Sequence, residues 1–282
     1  MNKYSGGAAP ITKLRLNPIF RWAGSKRKQL SALESHWNTD FTRYVEPFAG
    51  SAALFFHLQP QQALLGDINA GLIEAYDVVR SKPDDLYHAV TSLPKGEDAY
   101  YVERDKDPRC LCKFDRAVRF VYLNRHCFNG IFRTNTEGKF NVPYAHSRAG
   151  AIPPIEDFRR AALLLARASL KCADFGRILS SVRSGDFVFL DPPYAVASRR
   201  VFRQYDKRAF TPRDLVRLSK HLYRIDECGA KFVMTYAQCS EVATHFQRWD
   251  RRRIRVRRHV AGFAGARRSA YEVLITNLGE GR

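Results

Sequence analysis

No stretch of the 282-residue chain approaches the roughly 18 consecutive apolar residues that a membrane-spanning helix needs, although 45% of its residues are hydrophobic. Residues 1–10 hold one lysine and no apolar segment, so they read as a short lead and not as a secretion signal, and the expected location is cytoplasmic. The six cysteines include no C-x-x-C pair, and Cys110-x-Cys112 is too close for ordinary zinc-ligand spacing. Reduced thiols, no disulfide framework and no metal are expected. Repeats and low-complexity tracts are absent, which excludes a solenoid. Acidic residues are scarce: 28 Asp plus Glu face 47 Lys plus Arg, a formal net charge of +19. Such self-repulsion is tolerated best by a protein whose usual partner is a polyanion, and nucleic acid is the leading one.

The positive charge is uneven. Between Arg248 and Arg268 there are nine arginines in 21 residues against one acid, Asp250. In Arg253-Ile254-Arg255-Val256-Arg257 the alternation has a period of two, which puts Arg253, Arg255 and Arg257 on one face of a strand and turns Ile254 and Val256 to the core. With Arg267 and Arg268 beyond it, this strand is expected to track phosphates.

The ends of the chain alternate short apolar strands, expected over 44–46, 63–65, 187–190, 231–236, 254–259 and 271–276, with helices such as 51–58 and 212–228. That pattern implies a mostly parallel sheet covered on both faces, an α/β doubly wound domain. The middle is helix-rich and polar. Phe114, Ala117, Val118, Val121 and Tyr122 recur at helical spacing over 113–125. A turn signal at Thr136-Glu137-Gly138-Lys139 between 132–135 and 140–142 then suggests a hairpin. The expected organisation is residues 1–69 and 155–282 as two parts of one α/β domain, interrupted by a helical, hairpin-bearing insertion over 70–154.

Two segments carry chemistry. The apolar strand 186–190 delivers Asp191-Pro192-Pro193-Tyr194 to the carboxyl edge of the sheet, where open α/β folds bind ligands. Tandem prolines cannot continue a strand. They free the Pro192 carbonyl, so one planar amino group can be held by Asp191 and that carbonyl while Tyr194 stacks on its ring. Two acceptors on one amino group suit a nucleophilic nitrogen whose lone pair must turn from its ring toward an electrophile. The second segment, Tyr44-Val45-Glu46-Pro47-Phe48-Ala49-Gly50-Ser51-Ala52, is a strand, a small-residue turn and a helix start. Seventeen residues past Gly50, Asp67 ends another strand with a carboxylate suited to ribose hydroxyls. Glu46 beside the turn disfavours a pyrophosphate and favours a ligand with a cationic amine.

With these segments in this order the chain resembles the Dam-like DNA adenine-N6 methyltransferases. The resemblance runs through Phe20-Arg21-Trp22-Ala23-Gly24-Ser25-Lys26, residues 46–52, Gly66-Asp67-Ile68-Asn69, the block from Tyr122 to Tyr144, and Asp191 to Tyr194, and it covers about 18–278. It implies a Rossmann-like, S-adenosylmethionine-dependent fold. Trp22, Lys26, Glu46, Phe48, Gly50, Asp67, Ile68 and Asp191 would line the cofactor pocket, with Lys26 toward the cofactor carboxylate and Asp67 toward its ribose. Asp191, Pro192, Pro193 and Tyr194 would hold an adenine flipped from duplex DNA. The insertion would read the target: Phe128 as a wedge, Arg133 on base edges, Arg21 near the first base of the site, and Asn129, Ile131, Asn135, Asn141 and Pro143 in the same hairpin block. The implied reaction is direct transfer to adenine N6 in a short site containing GAT, GATC first, by a monomer of bacterial or phage type, releasing S-adenosylhomocysteine without a covalent enzyme intermediate.

Three positions depart from the common family pattern: Ser25 and Ala52 stand where glycine is usual, and Phe128 replaces a frequent tyrosine. Two rival readings remain at this level. One is an amino methyltransferase acting on cytosine N4 or on RNA adenine, which needs the same amino-holding motif. The other is a catalytically degenerate methyltransferase fold serving as a DNA-binding or defence component, for which Ala52 leaves room.

Overall fold

The computed structural model describes residue 16 and residues 18–195, 210–257 and 269–279, with backbone alone at 255–257 and 269–270. Among these residues a seven-stranded sheet has the order β3-β2-β1-β4-β5-β7-β6. Its strands are β1 (Arg43–Glu46), β2 (Ala63–Asp67), β3 (Ala168–Cys172), β4 (Asp186–Leu190), β5 (Lys231–Ala237), β6 (Asp250–Arg257) and β7 (Ser269–Thr276). The first five run parallel; β7 is antiparallel to β5, and β6 to β7. The helices are α1 (Leu30–Glu34), α2 (Ala53–Leu58), α3 (Ala70–Ser81), α4 (Pro83–Ser92), α5 (Glu97–Asp105), α6 (Lys113–His126), α7 (Ile155–Leu165), α8 (Phe175–Leu179), α9 (Pro212–Glu227) and α10 (Ser240–His245). This is the doubly wound α/β architecture that the sequence implied.

Period-two alternation builds the two cores. Tyr44, Leu65, Phe187 and Phe189 face one layer, with Phe55, Tyr76 and Phe158, while Val45, Leu64, Val188 and Leu190 face the other, with Leu215, Leu222 and Phe232. α9 covers the second layer with Leu215, Leu218, Leu222 and Ile225, each worth about 1.5–3 kcal/mol on burial. It starts at a capping box in which Thr211 and Asp214 satisfy each other's backbone N–H, with Pro212 in the first turn.

Chain order explains where a ligand belongs. From β1 the chain winds outward to β2 and β3, then returns to β4 on the other side of β1, so β1 and β4 flank the topological switch point. Their register is set at the far end, where Arg43, paired opposite Asp186, donates to its buried carboxylate at 2.5 and 3.1 Å. At the near end, Glu46 to Gly50 and Asp191 to Tyr194 emerge side by side.

Between β2 and β3, where one crossover helix would suffice, the chain carries five helices, and α3, α4, α6 and α7 pack on one another. The hairpin after α6 is reduced to an antiparallel bridge between Thr134 and Phe140, closed by Asn135 N–H to the Lys139 carbonyl at 2.9 Å. The Asn135 side chain caps the turn by accepting from the Glu137 and Lys139 N–H groups, at 3.0 and 2.9 Å. β6 begins earlier than the alternation alone indicated, at Asp250, because Arg251 to Arg253 continue the pairing with β7. Ile254 does pack on the first core. The side chains of Arg255 and Arg257, and the whole of Arg267 and Arg268, lie outside the described residues. No helix among the described residues is long and apolar enough to cross a membrane.

Candidate active site

The turn after β1 needs two left-handed residues, Gly50 at φ +47° and Ala52 at φ +48°. At Gly50 the glycine is obligatory on two grounds, since a Cβ there would stand 2.6 Å from Cδ1 of Trp22. Ala52 explains the family's usual glycine: the conformation costs an L-residue about 1–2 kcal/mol. Its methyl group is wholly buried, which returns about 0.8 kcal/mol. Ser25, at φ −48°, needs no glycine, and its hydroxyl lies 2.8 Å from that of Ser51 in the turn.

Asp67 closes this turn. One carboxylate oxygen accepts from Gly50 N–H at 3.0 Å and the other from Asn69 N–H at 2.9 Å. The Tyr76 hydroxyl donates to the Gly50 carbonyl at 2.8 Å. Ile68, next to Asp67 at the strand end, is 44% exposed, and Phe48 packs on Phe175 at the start of α8. Glu46 is buried and accepts from the Tyr44 hydroxyl at 2.9 Å. Burial raises its pKa well above the usual carboxylate range, opposed by the Tyr44 hydrogen bond and reinforced by the charges of Asp191 and Asp67. Burial also raises Asp67, against its backbone hydrogen bonds.

Asp191, directly after β4, is fixed through one oxygen. Oδ1 accepts from the Thr235 hydroxyl at 2.9 Å and pairs with Lys26 Nζ at 2.8 Å, while Oδ2 takes no donor among the described residues. Burial raises the Asp191 pKa, the neighbouring Lys26 and Thr235 lower it, and Glu272 raises it again. The buried Lys26 ammonium spans Asp191 and Glu272, the latter at 3.3 Å. Pro192 is buried and Pro193 exposed. The Tyr194 hydroxyl donates to Glu272 Oε1 at 2.6 Å, and its ring meets Tyr236 edge-on at 5.3 Å. The Tyr236 hydroxyl in turn accepts from Ala195 N–H at 2.7 Å.

The expected target-reading residues sit on one strap and one turn. Arg21 is clamped by Asn124, which accepts from its N–H at 2.8 Å and donates to its carbonyl at 2.7 Å. Gly130, at φ +63°, lies against the Arg21 Cβ, and Asn129 is left-handed as well, at φ +55°. Phe128 is half-buried against the first core, its N–H bonded to the Pro143 carbonyl at 2.9 Å. The exposed aromatic of this segment is instead Phe132, next to the half-buried Ile131. Phe132 stacks with Trp22 at 6.4 Å and 15°, so Trp22 links the hairpin to Gly50. Arg133 donates to the Asn141 side chain at 2.8 Å and to its carbonyl at 3.2 Å.

Thus Trp22, Lys26, Glu46, Phe48, Gly50, Asp67 and Asp191 converge at the switch point. The sequence reading missed Thr235, Glu272, Gln29 and Tyr44. The available signal for the first two was a polar residue inside an apolar strand, in Met234-Thr235-Tyr236 and Tyr271-Glu272-Val273.

An open α/β sheet with an acid-bearing turn at its switch point and Asp-Pro-Pro-Tyr beside it is consistent with a Rossmann-like methyltransferase. The D12 class N6 adenine-specific DNA methyltransferase family matches residues 22–260, and the chain belongs to that family. It is 31% identical to the type II methyltransferase M1.LlaDCHI of Lactococcus lactis subsp. cremoris over 95% of this chain and 97% of that one. Identity is likewise 31% to the retron Ec67 DNA adenine methylase of Escherichia coli, over 93% and 92% of the two chains. To the DNA adenine methylase of E. coli strain K12 it is 28%, over 91% and 93%. The protein is an adenine-specific DNA methyltransferase.

Proposed function

We propose that the chain transfers a methyl group to N6 of an adenine flipped out of a short site in double-stranded DNA, with GATC as the first site to test. The observation that carries this is Asp191: one oxygen is anchored by Lys26 and Thr235, and the other takes no donor among the described residues. An anchored carboxylate with a free oxygen orients an amino group by accepting from it. Its basicity is too low to deprotonate N6 outright. Tyr194, held by its hydroxyl, offers a ring face for the flipped base.

S-adenosylmethionine fits the turn chemically. Glu46 and Asp67 carry acid groups that burial pushes toward protonation and that a sulfonium and an amine would favour in ionised form, beside an Asp191 already paired with Lys26. Asp67 would hold the ribose, Glu46 the amine, and Trp22, Phe48 and Ile68 the apolar surfaces, with Gly50 allowing close approach. When bound, the cofactor supplies an electrophilic methyl group on sulfur. The residues' task is to hold the acceptor in line and exclude water.

The insertion over 70–154 is assigned to target reading. Arg133 is presented by Asn141, Asn135 shapes the turn, and Arg21 is fixed by Asn124. Asn129 and Ile131 belong to the preceding turn at Phe128–Gly130, and Pro143 braces it through its carbonyl. Phe128 must leave its packing to act as a wedge, whereas Phe132 is exposed already. The arginine-rich segment of the sequence, with Arg253, Arg255 and Arg257 at alternate positions and Arg267 and Arg268 further along, is assigned to flanking phosphates. The protein is taken to act as a monomer in the cytoplasm.

Labelled S-adenosylmethionine incubated with DNA rich in GATC and with matched DNA lacking it, followed by nucleoside identification, tests this reading. N6-methyladenine in the first alone supports enzyme and site; label in both discards GATC; label as N4-methylcytosine, or no label in either DNA, overturns the assignment.

A further inference from the structure

Strand β7 carries a charge where the sheet has no need of one. Glu272 is 4% exposed, and it pairs with Ala237 of β5 on one side and Ile254 of β6 on the other. A buried carboxylate costs several kcal/mol unless donors surround it, and an apolar residue at such a position is usually neutral or stabilising. Stability of the sheet therefore does not explain Glu272; its donors do. Oε1 accepts from the Tyr194 hydroxyl at 2.6 Å, and Oε2 from Gln29 Nε2 at 3.1 Å and Lys26 Nζ at 3.3 Å. Lys26 is the same ammonium that pairs with Asp191 at 2.8 Å.

The Asp191-to-Tyr194 segment is thus held at both ends by one carboxylate: directly at Tyr194, and through Lys26 at Asp191. Between the ends, two prolines leave the segment few hydrogen bonds of its own. We propose that Glu272 is a positioning residue of the base-holding site, which ties both ends of Asp191-Pro192-Pro193-Tyr194 to the antiparallel strand β7 and shares Lys26 with Asp191. Sharing matters because an ammonium given wholly to Asp191 would bind it more tightly and compete with the amino group it is meant to accept. Rigid, half-satisfied acceptors pre-oriented toward the reacting group are what positioning requires.

The inference rests on the reading that Asp191 and Tyr194 hold the base, and its test separates the two. Glu272→Gln keeps the shape and removes the charge; Tyr194→Phe removes one donor. In both full-length variants, amide exchange over 191–195 is expected to rise at least tenfold while β4 and β5 keep their protection. In single-turnover transfer to adenine-containing duplex DNA, the rate is expected to fall about 10- to 100-fold. The acid limb of the Glu272→Gln pH profile should move to lower pH, because the Glu272 charge no longer opposes ionisation of Asp191.

Unchanged exchange at 191–195, exchange raised evenly through the sheet, or a rate within twofold of wild type with an unmoved acid limb would overturn the proposal. Should Glu272→Gln fail to fold, Glu272→Asp keeps the charge and shortens its reach. Partial loss of rate with the acid limb in place is then expected, and a wild-type rate overturns the idea. If the wild-type chain transfers no methyl group at all, the base-holding reading fails, while the exchange measurement still decides what Glu272 holds.

Discussion

Replacing Gly50 by alanine should damage the protein in two separable ways. The left-handed φ of +47° costs an alanine about 1–2 kcal/mol. The new Cβ would stand 2.6 and 2.9 Å from Cδ1 and Nε1 of Trp22; forcing a methyl group into packed surroundings costs about 1–3 kcal/mol. Together these predict a loss of about 2–5 kcal/mol, or a fall in the urea midpoint of about 1 M if the slope is near 3 kcal/mol per M. Removing Trp22 as well clears the overlap and leaves the backbone strain. Gly50→Ala with Trp22→Ala should therefore be less destabilised than the sum of the single variants by about 1–3 kcal/mol, a coupling that a double-mutant cycle measures directly. Strict additivity would refute the argument, for it would mean that Trp22 does not sit on the turn.

Glu46→Gln should stabilise the protein while weakening cofactor binding. Because the folded-state pKa of Glu46 is raised, its ionised form opposes folding, so the gain appears as pH rises through that pKa and vanishes well below the ordinary carboxylate value. About 1 kcal/mol, or about 2 °C in the melting temperature at neutral pH, is expected; an unchanged or lower melting temperature counts against the buried-charge argument. Arg253→Ala should weaken DNA binding and flatten its dependence on salt by about 0.9 in log–log slope, if β6 meets a phosphate through this residue; an unaltered slope removes Arg253 from the interface.

Much of the fold was legible because strong periodicity survives context. The strands at 44–46, 63–65, 187–190, 231–236 and 271–276 fall within β1, β2, β4, β5 and β7. The helices expected at 113–125 and 212–228 match α6 and α9 closely. β3 escaped because an edge strand needs little apolar surface: in Ala168–Cys172 only the first residue is buried. The antiparallel placement of β7 was not readable, since pairing order leaves no trace in a strand's own pattern. The carboxylates that end β1 and β2 and the one directly after β4 could be picked out from their position at strand ends. The bond from Lys26 to Asp191 and Glu272 was not, because it joins residues 165 and 246 positions apart that only the folded sheet brings together.

In the proposed function Asp191 orients the amino group and contributes little to holding DNA. Single-turnover methyl transfer by Asp191→Ala, measured beside its equilibrium affinity for the same duplex, tests this most directly. Transfer is expected to fall by about 100-fold or more, with DNA affinity within about threefold of wild type. Transfer and affinity falling together, or transfer persisting, would contradict it.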